Sequence, residues 1–274
     1  MGKNKIFILG IGVSNLNFSQ VLEEIEKWFE NGSKIYQIFT PNPEIIILAQ
    51  KDKKFAQILN NADLALPDGQ GIIWASRFLG QPLKERITGV DLAEKLSELA
   101  AKKGLTIGLI GGGPQIAVKA LECLKEKYPG LNGWAEEGPR IEMANGKWQM
   151  ANGYDLDLLI EKIKKTETRI VFVGMGAPKQ EYFIENVKCQ MSNVKCPLVL
   201  MAVGGAFDYL SGRVLRAPKW MQNLGFEWLY RLIRQSWRWR RQLALLKFIV
   251  LVLKSKSAFR RVKDGERVED AGFL

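Results

Sequence analysis

Any proton transfer in this chain has to run without imidazole. There is no histidine among its 274 residues, which removes Ser-His-Asp triads, histidine metal sites and imidazole acid/base chemistry together. The work falls to Asp, Glu, Lys, Tyr or Cys. The three cysteines, Cys123, Cys189 and Cys196, form no metal spacing, and a sparse odd count suits a reducing compartment. Among the acids Asp68 stands out, because LPDGQGI at 66–72 sets it in a Pro-Asp-Gly corner after a short apolar run. Strand ends of this kind are where open α/β sheets carry reactive groups. Spacing alone is equally consistent with a plain turn in which Asp68 caps the next helix. Arg86 and Thr88 follow in RITGVDL at 86–92.

Three glycine clusters could hold an anionic ligand: IGGGP from Ile110, VGMGAPKQE from Val173 and VGGAFD from Val203. Glycine lets a backbone approach an oxyanion, and a helix N-terminus offers unpaired amides and a favourable dipole. One such cluster means little, but three favour a nucleotide or sugar-phosphate cleft. Gly10 and Gly12 resemble the start of a dinucleotide fingerprint, yet Asn15 occupies its third glycine position, so NAD is discounted. No Walker lysine follows any loop. Asp155-Leu156-Asp157 resembles a metal-binding DxD, but it falls at an expected helix start, where acids cap and complement the dipole. No metal is expected. A departing diphosphate would then be neutralised by protein cations, a task that suits arginine.

The elements that must position these groups alternate. Strands are expected at 6–11, 35–39, 63–66, 105–110, 131–136, 169–173 and 198–203. Helices are expected at 18–29, from Pro43 to Gln50, at 71–79 and 91–103, after the first glycine loop to Tyr128, at 155–165, and to about Cys189. The segment 138–153 reads as a polar, irregular excursion. This alternation implies an α/β fold, Rossmann-like, with a mostly parallel sheet covered by helices on both faces. No signal peptide is expected, because the first apolar run leads into glycine turns and a helix.

Charge divides the chain. The net +11 is concentrated in 213–263, where fourteen basic residues face the single acid Glu227 and residues 1–212 are close to neutral. Two units are therefore expected: a 1–212 α/β core and a 213–274 helical appendage rich in arginine and tryptophan. At about 100° per residue, Arg231, Arg234, Arg238 and Arg241 share one helical face, with Leu229, Leu232, Ile233, Trp239 and Leu243 largely opposite. Arginine beside tryptophan suits a helix lying in a lipid headgroup layer. A core-packing helix with a solvated basic face is the plainer alternative. Nucleic-acid binding is disfavoured by the aliphatic run to Leu253, which needs burial in lipid, protein or an oligomer. That run, interrupted by Lys247, is too short to span a bilayer.

TPNPE at 40–44, LPDGQGI at 66–72, RITGVDL at 86–92, GAPKQE at 176–181 and GGAFDYLSGRVLRAPKWMQNLGFEWLYRL from 204 to 232 resemble the WecG/TagA/CpsF glycosyltransferase family. The resemblance runs from about Lys5 to about Arg241. It implies an inverting, metal-independent transfer of a sugar, of N-acetylmannosamine type or else glucose or glucuronate type. The donor is a UDP-sugar and the acceptor a polyprenyl-diphosphate-linked saccharide, in cell-surface polysaccharide or teichoic acid synthesis at the inner face of the plasma membrane. Carried onto this chain, Asp68 is the general base and Gln180 a second polar residue at the reacting centre. Thr40, Asn42 and Arg86 line the cleft. Gly111, Gly112, Gly174, Glu181 and Asp208 are nucleotide-side candidates on loop position. Arg213, Arg216, Arg231, Arg234, Arg238 and Arg241 belong to the region that closes over the site and docks on an anionic membrane. The implied partners are donor, acceptor and membrane, with no cofactor and no nucleic acid; a homo-oligomer is left open. Two other readings compete: a non-enzymatic membrane- or polyanion-binding adaptor, which would lack UDP affinity, and a soluble oxidoreductase, which would bind NAD.

Overall fold

A computed structural model describes residues 5–144, 147–151, 153–191, 196–223, 227–234 and 239–263. In chain order the elements are β1 (Lys5–Ile8), β2 (Ile11–Ser14), α1 (Phe18–Asn31), β3 (Ile35–Phe39), α2 (Pro43–Ala49), α3 (Lys53–Asn60), β4 (Leu64–Ala65), α4 (Gln70–Phe78) and α5 (Gly89–Lys103). There follow β5 (Thr106–Gly111), α6 (Ile116–Lys127), β6 (Asn132–Glu136), β7 (Ile141–Ala144), β8 (Lys147–Met150), α7 (Leu156–Lys165), β9 (Thr168–Gly174) and α8 (Lys179–Gln190). The last are β10 (Leu198–Ala202), α9 (Ala206–Leu210), α10 (Lys219–Asn223), α11 (Glu227–Arg234) and α12 (Trp239–Lys263).

Six strands form one parallel sheet in the order β4-β3-β10-β9-β5-β6. Its central strands are apolar at consecutive positions because both faces are covered. Ile35, Val171, Val173, Leu198 and Leu200 point into one hydrophobic cluster with α2, α7 and α8. Tyr36, Ile170, Phe172, Val199 and Met201 point into the other, with α1, α5 and α6. The period-two alternation of a strand thus feeds two cores. This is the Rossmann-like α/β arrangement that the strand–helix alternation implies.

The structure departs from the sequence reading in three places. Residues 6–11 are not one strand. Leu9 and Gly10 adopt φ of 47° and 79°, and β1 and β2 pair antiparallel across that turn. Gly12 therefore sits inside a strand, which removes the dinucleotide likeness. Helix α3 was not expected; Asp52 caps it, accepting from Phe55 N–H at 3.0 Å. The 138–153 excursion contains the β7–β8 hairpin, and its Ile141 is buried while Trp148 and Met150 pack on the core. Its polar composition conceals this because only alternate residues turn inward. The aliphatic run, for which the sequence leaves burial in lipid, protein or an oligomer open, lies in α12, which packs against α2 and α4 with Phe248 and Val252 fully buried. Phe248 and Val252 are thus part of the main core. Among the described residues no helix is long and apolar enough to cross a membrane.

Candidate active site

Every strand of the sheet's middle delivers a loop at its C-terminal end, and the loops meet in one cleft of about 960 Å³. Backbone hydrogen bonds bring three distant motifs together at its floor. Leu66 N–H donates to Phe39 O (2.8 Å), Asp68 N–H to Pro41 O (3.0 Å) and Ile87 N–H to Pro67 O (2.9 Å). The TPNP loop after β3, the Pro-Asp-Gly corner after β4 and the RITG loop before α5 are thereby fastened edge to edge. Asp68 is half-buried and lines the cleft. The N-cap position of α4 is taken by Gly69, at φ 92°, one residue after Asp68. Asn42 has two roles. It caps α2, accepting from Ile45 N–H at 3.0 Å, and it lines the cleft with Thr40.

The glycine loops are needed first for their own packing. A Cβ on Gly111 would lie 2.8 Å from Gly174 O, and one on Gly174 would lie 2.7 Å from the Phe207 ring. Gly112 N–H donates to Gly174 O at 2.8 Å. Close approach of β5, β9 and α9 thus forces glycine at these positions. It also leaves Gly111, Gly112, Gly174 and Asp208 lining the cleft.

Gln180 lines the same cleft although it is only 2% exposed. Its amide is held on both sides: Gly204 N–H donates to Oε1 (2.9 Å), and Nε2 donates to Glu181 Oε1 (2.9 Å). Glu181 is fully buried and stands behind Gln180 rather than in the cleft. Among the described residues its Oε2 has no hydrogen-bond partner, and burial pushes the carboxyl up to about 7 against the lowering effect of the Gln180 bond.

A ladder of charges joins the cleft to the basic region. Arg216 meets Asp91 through both terminal nitrogens (Nη2 to Oδ2, 2.9 Å) and donates from Nε to Glu227 Oε1 (3.3 Å). The other Glu227 oxygen lies 3.6 Å from Arg86 Nη1, while Arg86 Nη2 donates to Gln222 O at 3.4 Å. Burial raises the Asp91 carboxyl, but the Arg216 and Thr88 hydrogen bonds outweigh it and hold the group below its usual range. The same pairing, opposed by burial, holds the Arg216 guanidinium above its own. Arg216 is thus committed to an internal ion pair. Arg213, largely exposed, lies 3.8 Å from Asp208. Arg238 and the side chains of Arg231, Arg234 and Arg241 lie outside the described residues.

The cleft also gathers residues that motif reasoning passed over. Arg140 and Lys179 line it as further cations, and Trp74, Leu232, Leu245 and Ile249 add an apolar wall. The spacing of Leu245 and Ile249, one helical turn apart, was the available signal; no local feature marks Arg140. Asp155, by contrast, caps α7, accepting from Asp157 N–H (2.9 Å) and Leu158 N–H (3.2 Å).

A profile described as "Glycosyl transferase WecG/TagA/CpsF family" matches residues 6–262, nearly the whole chain. The chain belongs to the WecG/TagA/CpsF family. It is 33% identical over 244 residues, 88% of each chain, to a Bacillus subtilis (strain 168) protein named N-acetylglucosaminyldiphosphoundecaprenol N-acetyl-beta-D-mannosaminyltransferase. Proteins of the same name from Bacillus spizizenii (strain W23) and Staphylococcus aureus (strain MW2) are 32% and 29% identical. These matches cover 91% of this chain and 91% of the first relative, and 94% of this chain and 95% of the second. This WecG/TagA/CpsF member is accordingly a glycosyltransferase, and the adaptor and oxidoreductase readings are set aside.

Proposed function

We propose that the protein transfers N-acetylmannosamine from its UDP conjugate to N-acetylglucosamine carried on a polyprenyl diphosphate, with inversion and without a metal ion. The observation that carries this reading is the convergence of Asp68, Gln180, Thr40, Asn42 and Arg86 in one cleft that also holds the three glycine loops. The relatives' name supplies the sugars and the lipid.

Asp68 takes the proton from the acceptor hydroxyl as its oxygen bonds to the anomeric carbon. The bond from that carbon to the UDP oxygen breaks on the opposite face, and UDP leaves with the electron pair. Loop amides and the cations Arg86, Arg140 and Lys179, which line the cleft, offset the charge growing on UDP. Gln180, locked at both ends of its amide, orients the reacting sugar. Work at the inner membrane face is supported by the basic C-terminal region and by Leu243, Leu246, Val250 and Leu253. These four stay exposed along one side of α12. Purified protein incubated with a panel of UDP-sugars and a lipid-diphosphate-linked N-acetylglucosamine, with and without a chelator, should give one product of added N-acetylmannosamine mass. Its linkage should be inverted in both arms. A product with retained configuration, or one lost with chelator, overturns the mechanism.

A further inference from the structure

The lining of the cleft is chemically divided. Asp68, Arg86 and Gln180 supply polar groups. Pro43, Trp74, Leu232, Leu245 and Ile249, contributed by α2, α4, α11 and α12, supply an apolar wall. Trp74 stacks on Phe78 (centroids 5.3 Å apart, planes 15° apart) yet remains 39% exposed.

This wall is built into the fold. Gly71 allows α2 and α12 to meet over α4: a Cβ there would lie 2.7 Å from Pro43 Cγ and 3.4 Å from Leu245 Cδ1. At the far end of α4, Lys256 donates to Phe78 O at 2.6 Å and sits 4.0 Å from the Phe78 ring centroid. Helix α12 is thus pinned to α4 at both ends, and Phe248 anchors it between them. Leu245 and Ile249 face the cleft, while Leu246 and Val250, next around the helix, continue outward as an exposed stripe. An apolar path therefore runs from beside the Pro-Asp-Gly corner to the outer surface.

We propose that this wall binds the first isoprene units of the acceptor's polyprenyl chain, so that diphosphate and sugar reach Asp68 from the α12 side. The proposal rests on the acceptor class given under the proposed function. A uracil or a sugar ring would need hydrogen-bond partners, and these five side chains offer none beyond the Trp74 indole N–H. A hydrocarbon chain needs none and gains by leaving water.

The test compares Trp74→Ala and Ile249→Ser with the unaltered full-length protein on two soluble acceptors. Both carry the same sugar diphosphate, one esterified with farnesol and one with methanol, below any micelle concentration. The expected result is a rise of roughly tenfold in KM for the farnesyl acceptor in each variant, with KM for the methyl acceptor and the UDP affinity within about twofold. Retained UDP affinity reports that the variants are folded. Equal changes for the two acceptors, or none for either, overturn the lipid groove. A fall in UDP affinity for Trp74→Ala reassigns the ring to the donor. If the unaltered protein elongates neither acceptor, the underlying transferase reading fails first and takes the groove with it.

Discussion

The side-chain amide of Gln180 is bound to the fully buried carboxyl group of its neighbour Glu181, Nε2 to Oε1 at 2.9 Å. Two consecutive residues of a helix rarely face each other, and here the pairing lets a core acid set the orientation of a cleft residue. The carboxyl is pushed up to about 7, so it holds its proton in the folded protein at pH values where the unfolded chain has lost it.

The sign of the resulting pH dependence follows from linkage. Between pH 4.5 and about 7 the folded state binds more protons than the unfolded state, so stability falls as pH rises through that window and levels off above it. The full span corresponds to about 3 kcal/mol. Urea denaturation at pH 5 and pH 8 should show that decline in the native chain. Glu181→Gln, which cannot ionise, should flatten it; an unchanged slope would assign the effect to other groups.

Asp68→Asn should lower turnover by about two to four orders of magnitude, the usual contribution of a positioned base. UDP affinity should be kept, because the backbone bonds of Leu66, Asp68 and Ile87 hold the corner whichever side chain stands at position 68. Single-turnover assays beside UDP titration separate the two. Near-native turnover would remove Asp68 from the role.

Arg216 serves two carboxylates, so Arg216→Ala leaves both Asp91 and Glu227 without it. The Asp91 side chain is 43% exposed and solvent screens part of the loss, which should be about 1–2 kcal/mol. Lysine should not restore it, since a single ammonium cannot reproduce the fork that meets Asp91. Denaturant midpoints of the alanine and lysine variants at low and high salt check both statements.

Phe248→Ala should cost about 3–5 kcal/mol, the range for truncating a buried aromatic residue. Leu246→Ser, on the exposed side of the same helix, should cost less than about 0.5 kcal/mol. Removing everything from Trp239 onward should destabilise the sheet domain as well as abolish transfer. Thermal melts of the three proteins decide whether α12 belongs to the core.

Gly174→Ala would put a methyl group 2.7 Å from the Phe207 ring and 3.0 Å from Gly204 O. Overpacking of this kind costs about 1–3 kcal/mol. UDP affinity should fall with it, because the shifted loops are those lining the cleft. Gly113→Ala has space but sits at φ 85°; its penalty should be backbone strain with little displacement of Phe207.

Much of this protein is written locally. The period-two and helical patterns, the Asn42-Pro43 helix start and the absence of histidine act through neighbours in the chain, and they set the α/β class and single out Asp68. The ordered motifs carried the family. What had to wait for the fold was every relation between residues far apart in sequence. Glu181 reads like its neighbour Gln180, yet a helix turn sends one into the core and the other to the cleft. Arg216 reads like any residue of a basic appendage until Asp91 and Glu227 are found around it. The run from Leu243 to Leu253 looked unpartnered because nothing nearby could cover it; α2 and α4, some 170 to 200 residues earlier, cover part of it. Hydrophobic burial and ion pairing depend on which surfaces meet, and only the packed chain decides that.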